Sequence, residues 1–497
     1  MYKGDYIDGK FEIPSSPDLE WSIHSPADLS EEVISVKAAT ANVDKAVSSA
    51  RKAYKDWAHL GLDKRKEHLL KLKEVFIKRA DEMAELISRE MGKPLWEAKT
   101  EAGALSGKIA LTLDHSSQLV EDVKYDNVNP GVAGVIRNKP RGVMAVVGPF
   151  NFPAHLANGH LIPALMVGNT AVFKPSDKTP GVGQLMAECY EEAGFPPGVF
   201  NLVQGQAAVG QALSTHEDVD GVLFTGSYEV GLAIKKATID QYWKILALEM
   251  GGKNTTLVWD DADIEKAVYD TIIGSFLTTG QRCSCTSRIV LHEKIRDKFL
   301  DNFVEVAKKL KVGHWSENPF MGPLVTQDSK DNCLKFQEAA KSEGAKILLE
   351  AEALDLPKKG HYVSPSINLV EKLDLNSHYQ QNEIFGPNVA VYTVNEYSDA
   401  LNIVNSGGYG LVMSLFSKNE EIYRKALLDA KVGLLNWNRT TNGASGKLPF
   451  GGMGKSGNDR PSGHYAINYC VVPVASLEDP TQFDGSKMLP GIEYNYR

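Results

Sequence analysis

Five short apolar segments, separated by longer stretches of helical pattern, follow one another in the middle of the chain. They are Gly142–Val147, Thr170–Phe173, Val199–Val203, Gly221–Thr225 and Ile245–Leu248. Runs of this length are typical of buried strands, and their alternation with helices predicts a parallel sheet that is covered on both faces. A second alternation runs from Thr255 to about Asn438, with strands predicted at Arg288–Leu291 and Ala390–Tyr392. The pattern therefore predicts an α/β protein with doubly wound sheets.

The segments outside this alternation have other patterns. Val43–Leu60 and Asp63–Met91 carry apolar residues at a spacing of three to four, which predicts helices. Tyr125–Arg141 predicts an extended strand or hairpin, because apolar residues there are mixed with turn residues. After Pro449 the chain is rich in Gly, Pro and Asn, which predicts a loop followed by a short strand at Tyr469–Val472.

Composition excludes several classes of protein. The net charge of −9 over 497 residues argues against non-specific binding to nucleic acid. The first ten residues have no apolar core of the kind a signal peptide needs, and no apolar run approaches the length of a membrane span. The five cysteines are scattered and odd in number, which favours a reducing compartment. We therefore expect a cytoplasmic protein that binds neither membrane nor nucleic acid.

Two residues form the minimum set for covalent catalysis. Cys283 follows Gly280 and Gln281 after an apolar segment, and Glu249 ends the apolar run Ile245–Leu248. A free cysteine is usually a buried core residue, and most glutamates are solvated surface charges. A carboxylate at the end of a buried strand should instead be desolvated, so its pKa should rise toward that of a useful base. We interpret Cys283 as a nucleophile and Glu249 as a general base.

Four segments carry a resemblance to a known family. They are residues 148–153, 248–253, 276–285 and 383–387, and together they resemble the NAD(P)-dependent aldehyde dehydrogenases over roughly Val33 to Tyr465. The resemblance implies a Rossmann-like NAD-binding domain (1–122 and 142–248), a catalytic domain (249–450), and a small β oligomerisation arm with the C-terminal tail (123–141 and 465–497). It also implies an assembly of two or four identical subunits.

The resemblance implies a role for each catalytic residue. Cys283 attacks the aldehyde, and Glu249 activates the water that hydrolyses the resulting thioester. Asn151, which could otherwise serve only a turn, donates its side-chain amide to the developing oxyanion together with the backbone N–H of Cys283. No metal is implied, because Cys283-x-Cys285 lacks partner ligands at the spacing of a zinc site.

NAD is the cofactor that the resemblance implies, with NADP as the alternative. Asp177 favours NAD, because a carboxylate accepts from ribose hydroxyls and repels a 2′-phosphate. Since relatives often carry Glu at this position, the shorter Asp leaves the choice between the two cofactors open. The cofactor residues that the resemblance implies are Lys174, Ser176, Asp177, Gly226, Ser227, Gly231, Glu383 and Phe385.

The substrate is expected to be a small aldehyde that carries carboxylates. Several less widely shared segments, among them residues 151–160 and 436–439, resemble a branch of the family that oxidises such a semialdehyde. Arg282 and Arg439 are the cations expected to bind the substrate, although each could be a solvated or structural cation. Succinate semialdehyde and glutamate semialdehyde remain alternative substrates, and a non-catalytic protein that has kept the fold remains an alternative function.

Overall fold

Two seven-stranded sheets organise the computed structural model, which describes residues 1–494. Residues 495–497, the end of the predicted tail, lie outside the described residues. The strands are β1 (Asp5–Ile7), β2 (Lys10–Glu12), β3 (Leu19–Ser25), β4 (Asp28–Ala38), β5 (Val123–Asn129), β6 (Val132–Pro140), β7 (Val143–Val147), β8 (Thr170–Lys174), β9 (Phe200–Leu202), β10 (Gly221–Gly226), β11 (Ile245–Met250), β12 (Asn254–Val258), β13 (Thr286–His292), β14 (Lys346–Leu349), β15 (Ser366–Leu369), β16 (Asn388–Val394), β17 (Tyr409–Gly410), β18 (Val412–Phe416), β19 (Leu434–Trp437), β20 (Pro449–Phe450), β21 (Met453–Gly454), β22 (Ser462–Gly463) and β23 (Val471–Glu478).

Helices cover both large sheets. They are α1 (Asn42–His59), α2 (Leu62–Lys78), α3 (Ala80–Met91), α4 (Leu95–Asp114), α5 (His155–Val167), α6 (Pro180–Glu192), α7 (Ala207–Thr215), α8 (Tyr228–Ala237), α9 (Ile264–Phe276), α10 (Arg296–Lys308), α11 (Gln327–Ser342), α12 (His378–Gln381), α13 (Tyr397–Val404) and α14 (Glu420–Asp429).

The first sheet has the order β11-β10-β7-β8-β9-β1-β2, in which β7 to β11 are parallel. The parallel part of the sheet begins at β7 and continues outward through β8 and β9, and the chain then returns to the other side of β7 for β10 and β11. The carboxyl ends of β7 and β10 therefore border the point where the strand order reverses. Such a point leaves a crevice above the sheet in which ligands bind.

Successive residues of β7 belong to opposite faces of the first sheet. Met144 and Val146 pack into one apolar core with side chains from α2 to α6. Val143, Ala145 and Val147 pack into a second core with side chains from α1, α7 and α8. A strand that is buried on both faces needs apolar residues at every position, and this need explains the continuous apolar runs in the sequence.

The second sheet has the order β14-β15-β16-β13-β12-β18-β19 and is parallel except for β14. It is also covered on both faces. Leu257 packs with side chains from α11, α13 and α14, whereas the next residue, Val258, packs with side chains from α9 and α10. The α/β class with two doubly wound, mainly parallel sheets is thus confirmed. The division of the chain into domains stays a prediction.

A separate three-stranded sheet joins the two segments that were predicted to form an oligomerisation arm. β5 and β6 form an antiparallel hairpin, and β23 pairs with the other edge of β6 along its whole length, with Val474 opposite Arg137. The side chains of β5 are exposed at every position. The predicted extended hairpin is therefore correct, and the C-terminal strand adds to it.

Two details differ from the predicted elements. The helical pattern over Asp63–Met91 forms two helices, because Arg79 leaves helical geometry between α2 and α3 with φ −100° and ψ 14°. The C-terminal strand was predicted at Tyr469–Val472, but a 3-10 helix occupies His464–Cys470 and the strand begins at Val471. Among the described residues, no helix is long and apolar enough to span a membrane.

Candidate active site

A cavity of about 1270 Å³ lies where the two large sheets meet. The first sheet contributes the carboxyl ends of β7, β8, β10 and β11, and the second sheet contributes the loops before β13 and β16. The predicted catalytic residues Cys283, Glu249 and Asn151 all line this cavity. The predicted cofactor residues line it too, except Gly231. Residues that are far apart in the sequence are thus brought to one site.

The turn that carries Cys283 has little freedom to move. Gly280 has φ +73°, and a Cβ at this position would lie 2.2 Å from the carbonyl oxygen of Gly386, so only glycine fits. The side-chain oxygen of Gln281 accepts a hydrogen bond of 3.0 Å from the backbone N–H of Val325. The Gly-Gln pair in the sequence therefore fixes the backbone immediately before Cys283, the predicted nucleophile.

Two threonines in the same turn have a strained backbone. Thr278 and Thr279 both have φ +55°, a conformation that is unfavourable for a β-branched residue. The hydroxyl of Thr278 donates to the buried carboxylate of Glu97, and the hydroxyl of Thr279 donates to the carbonyl of Gly322 at 2.9 Å. These hydrogen bonds stabilise the strained turn and so help to fix the position of Cys283.

The backbone on the other side of Cys283 is fixed by Asn254, a residue that the sequence analysis did not identify. Its side-chain amide donates to the carbonyl oxygens of Cys283 at 2.7 Å and of Cys285 at 2.9 Å. Its side-chain oxygen accepts from the backbone N–H of Val412 at 3.1 Å. The sequence did offer one signal for Asn254, because this polar residue is the first residue of a buried strand and directly follows the segment 248–253.

Glu249 is a buried carboxylate beside the thiol of Cys283. Its exposed fraction is 1%, and among residues 1–494 neither of its oxygens has a partner with hydrogen-bond geometry. Burial raises the pKa of Glu249 to about 8, the nearby thiol of Cys283 partly offsets this rise, and the charge of Glu383 adds to it. A carboxylate with this pKa can accept a proton near neutral pH, whereas an ordinary glutamate is too weak a base.

The two cysteines of the turn differ in what they face. Burial, and next the charge of Glu249, raise the pKa of Cys283 well above its ordinary value, so attack by this thiol requires a proton acceptor. Cys283 lines the cavity beside that acceptor. Cys285 is buried, and its sulfur lies 3.8 Å from the carbonyl oxygen of Leu277. Burial raises its pKa to about 11.

Asn151 follows β7 and is connected to the nucleophile turn. Its side-chain amide donates to the carbonyl oxygen of Gln281 at 3.0 Å, two residues before Cys283. Only 4% of Asn151 is exposed. A buried amide next to the nucleophile can donate to a charge that develops on a substrate oxygen.

The residues after β8 provide hydroxyl, carboxylate and ammonium groups. Lys174 donates to the carbonyl oxygens of Pro175 at 2.7 Å and of Gly205 at 2.8 Å. Because an ammonium group has three protons, one N–H is available to a ligand. Burial lowers the pKa of Lys174 to about 8, and the charge of Asp177 opposes this shift. Ser176 and Asp177 line the cavity beside it.

Helix α8 begins at the cavity. Ser227 caps it, because its hydroxyl accepts from the backbone N–H of Val230 at 3.3 Å, and Gly226 precedes this cap. Gly231 lies inside the first turn, where a Cβ would be 2.3 Å from the sulfur of Met250. Gly231 therefore permits close packing of α8 on β11. The exposed N–H groups at the start of such a helix favour an anionic ligand.

Glu383 and Phe385 approach the cavity from the second sheet. The carboxylate of Glu383 accepts a hydrogen bond of 2.8 Å from the backbone N–H of Gly252. Burial raises the pKa of Glu383 to about 7, while this hydrogen bond and the nearby charge of Lys253 lower it. Phe385 has φ +56°, and its ring meets that of Phe150 edge-on at 5.8 Å.

The two predicted substrate cations have different environments. Arg282 is mostly buried, forms an ion pair of 2.7 Å with Glu97, and lies over the ring of Phe152. Arg439 is exposed in the loop that follows β19, and its carbonyl accepts from the hydroxyl of Ser414. In the part of the chain that the structure describes, no ion pair or hydrogen bond engages the guanidinium of Arg439. Its charge is therefore available to a ligand.

The loop that carries Arg439 reaches the nucleophile segment. Asn442, three residues further along this loop, accepts a hydrogen bond of 2.8 Å from the hydroxyl of Ser284. The hydroxyl groups of Thr441 and Thr286 lie 2.9 Å apart. The position of the loop is thus coupled to the turn that holds Cys283.

This arrangement has the parts that acyl transfer through a cysteine requires. A thiol lies beside a buried base, and an amide donor lies within the same cavity. The adjoining part of the cavity presents a helix N-terminus together with the lysine and carboxylates described above, which are groups that suit phosphates and ribose hydroxyls.

Comparison with known proteins agrees with this chemistry. Residues 14–473 match the aldehyde dehydrogenase family. The N-succinylglutamate 5-semialdehyde dehydrogenase of Paraburkholderia xenovorans strain LB400 is 39% identical over 456 residues, which cover 91% of this chain and 92% of that protein. N-succinylglutamate 5-semialdehyde dehydrogenase 2 of Caulobacter vibrioides is 40% identical over 501 residues, which cover 99% of this chain and 100% of that protein.

Solved structures show the same fold. A 1-pyrroline-5-carboxylate dehydrogenase from Thermus with bound NAD superposes with a TM-score of 0.89 at 29% identity, covering 96% of this chain and 93% of that one. The apo betaine aldehyde dehydrogenase of Staphylococcus aureus superposes with a TM-score of 0.90 at 27% identity, and the match covers 98% of this chain and 97% of that one. With a family match over most of its length and near-full-length relatives at about 40% identity, this chain belongs to the aldehyde dehydrogenase family.

Proposed function

We propose that this chain oxidises N-succinylglutamate 5-semialdehyde to N-succinylglutamate with NAD, a step of arginine breakdown through the succinyltransferase route. The observation that carries the proposal is the similarity to enzymes of that name from several bacteria, at 36–40% identity over most of both chains. The meeting of Cys283, Glu249 and Asn151 in one cavity supports the same chemistry.

The reaction begins when Cys283 adds to the aldehyde carbonyl. Glu249 takes the thiol proton, since burial has raised its pKa to about 8. The sulfur–carbon bond forms a hemithioacetal, and its oxygen is stabilised by the Asn151 amide and the backbone N–H of Cys283. Loss of hydride then leaves a thioester. Glu249 releases the first proton to solvent and then removes a proton from water, which attacks the thioester. The sulfur–carbon bond breaks, the acid leaves, and Glu249 returns its proton to the sulfur of Cys283.

The cavity suits NAD as the hydride acceptor. When bound, NAD takes up the hydride that leaves the hemithioacetal carbon. The start of α8 would hold the pyrophosphate, Lys174 and Ser176 the adenosine ribose, and Glu383 and Phe385 the nicotinamide ribose. Asp177 lines the same region, so its carboxylate would repel a 2′-phosphate. We therefore propose NAD as the preferred cofactor over NADP.

Arg439 is the proposed anchor for a carboxylate of the substrate. N-succinylglutamate 5-semialdehyde carries carboxylates remote from its aldehyde, and these groups need cations. Arg282 is already paired with Glu97, whereas the charge of Arg439 is available in a loop that contacts the nucleophile segment. An unpaired guanidinium suits a carboxylate because it can donate two parallel hydrogen bonds.

We further propose a cytoplasmic homodimer or homotetramer. The proposed interface is the three-stranded sheet formed by β5, β6 and β23. Its exposed apolar side chains, Val123, Tyr125, Val474 and Leu477, support this role, because a partner subunit would remove them from water. The five free cysteines suit a reducing compartment.

A panel of aldehydes tests the proposed substrate. The purified chain, supplied with NAD, should give its highest kcat/KM with N-succinylglutamate 5-semialdehyde, followed at a distance by succinate semialdehyde and glutamate semialdehyde. NADH absorbance measures each rate, and Cys283→Ala provides the blank. A higher kcat/KM for either smaller semialdehyde would replace the proposed substrate. Absence of NADH with every aldehyde would favour a non-catalytic role.

Replacement of each cysteine tests the nucleophile. Cys283→Ala should abolish aldehyde oxidation and leave NAD binding unchanged, because the cavity loses only a sulfur. Cys285→Ala is the matched control and should retain most of the activity, since its sulfur faces Leu277 in the core. Steady-state NADH formation and NAD titration by protein fluorescence measure the two effects. An inactive Cys285→Ala together with an active Cys283→Ala would reverse the assignment.

The pH dependence of turnover tests the base. Glu249 accepts protons only when ionised, so hydrolysis of the thioester should accelerate as pH rises through about 8. Glu249→Gln should lower steady-state turnover by about 10²- to 10⁴-fold, and the first burst of NADH should also form more slowly, because the thiol and the water both lose their proton acceptor. The remaining turnover of Glu249→Gln should not accelerate as the pH rises through about 8. Normal steady-state turnover in this variant would exclude Glu249 as the base.

A matched pair of arginine variants tests the anchor. Arg439→Ala should lower kcat/KM for N-succinylglutamate 5-semialdehyde by about 10- to 150-fold. This range corresponds to the free energy of one charge-assisted hydrogen bond. The loss should be much smaller for a short neutral aldehyde. Arg424→Ala is the control, because Arg424 is exposed on α14 and pairs with Glu420. Equal losses for both aldehydes in Arg439→Ala would mean that Arg439 stabilises its loop and does not bind substrate.

A further inference from the structure

A fully buried ion pair lies behind the loop that carries Asn151. The ammonium of Lys93 and the carboxylate of Glu101 are 2.7 Å apart, and both side chains are completely inaccessible to solvent. Lys93 belongs to the connection between α3 and α4, and Glu101 lies on α4. Neither residue lines the cavity, and the mechanism described above does not use either one.

The contacts that these two residues make converge on residues 151–155. Lys93 also donates to the carbonyl oxygen of Asn151 at 2.9 Å, and its ammonium lies 3.6 Å from the ring centroid of Phe152. The second oxygen of Glu101 accepts from the backbone N–H of Ala154 at 3.1 Å and of His155 at 3.2 Å. A cation at one end of this loop and an anion at the start of α5 therefore fix its backbone at both ends.

Stability alone does not explain such a pair. Removing two charges from water costs free energy that their attraction repays only with good geometry, and apolar residues of similar volume are often as stable. The hydrogen bond from Lys93 fixes the carbonyl of Asn151 itself, and the amide of Asn151 then extends to the carbonyl of Gln281 beside the nucleophile. Since an oxyanion donor must be placed before charge develops, small movements of this loop should reduce its effect.

We propose that Lys93 and Glu101 are positioning residues that hold the Asn151 amide where the oxyanion forms. This inference rests on the proposed role of Asn151. The pair touches no substrate atom, so its effect should appear in the rate of acylation and not in cofactor binding. The effect should also vanish when Asn151 has no amide to position.

The test uses a reaction that needs neither NAD nor the proposed substrate. p-Nitrophenyl acetate can acylate Cys283 through a tetrahedral oxyanion, and the burst of p-nitrophenolate gives the acylation rate. Lys93→Met and Glu101→Gln should lower this rate by about 10- to 10³-fold, up to the loss expected for removing an oxyanion donor. The KM for NAD, measured in the oxidation assay, should not change.

Glu90→Gln is the matched control. Glu90 is also a fully buried carboxylate that accepts from two successive backbone N–H groups, those of Gly181 at 2.7 Å and Val182 at 2.8 Å at the start of α6. Its replacement should lower the melting temperature as Glu101→Gln does, but it should leave the acylation rate intact. Equal losses of acylation in both variants would show a general effect of buried charge and overturn the proposal.

Combination with Asn151→Ala separates positioning from a purely structural role. Asn151→Ala alone should be slow, and adding Lys93→Met should cause no further loss, whereas independent effects would multiply and overturn the proposal.

If Lys93→Met does not fold, Lys93→Met/Glu101→Gln removes both charges together and is measured in the same way. A slow Asn151→Ala with a fast Lys93→Met would refute this inference alone. The expected ester pattern without oxidation of the semialdehyde would refute only the proposed substrate.

Discussion

The removal of Glu249 from water determines how the site can work. A carboxylate with 1% exposure and no hydrogen-bond partner among the described residues is a stronger base than a solvated one, since burial raises its pKa to about 8. The same burial raises the pKa of Cys283, so a resting thiol and a base able to take its proton lie together.

Strand β11 places Glu249 at the edge of the first sheet, where water would normally reach it. A C-terminal loop covers that edge. The backbone N–H of Met250 donates to the carbonyl of Ser456 at 3.1 Å, and Asn458 exchanges hydrogen bonds with Leu248. These contacts satisfy backbone groups on both sides of Glu249. The loop that contains Ser456 and Asn458 therefore holds the end of the strand that carries Glu249.

Backbone strain and buried charge are concentrated around Cys283, the proposed nucleophile. Thr278 and Thr279 have positive φ, the carboxylate of Glu97 is bound by both Thr278 and Arg282, and the Lys93–Glu101 pair lies behind Asn151. Such features are costly in isolation, and a folded chain keeps them only when its surroundings determine them fully. Their position supports a site that is rigid before substrate arrives, which is the requirement for electrostatic stabilisation of a transition state.

Local patterns in the sequence predicted the five parallel strands β7 to β11 and two strands of the second sheet, β13 and β16, because a strand buried on two faces must be apolar throughout. They also marked Cys283 and Glu249 beside glycine turns. Only the tertiary structure decided which side chains form hydrogen bonds and ion pairs with one another. Asn254, Lys93 and Glu101 act through contacts with residues distant in sequence, and no local signal shows which carbonyl a lysine will reach. Similarly, the sequence identified Arg282 and Arg439 as candidate cations, and only the fold showed that Arg282 pairs with Glu97 and that Arg439 is exposed. Hydrogen-bond pairing and burial are properties of the packed chain, whereas periodicity is a property of the sequence.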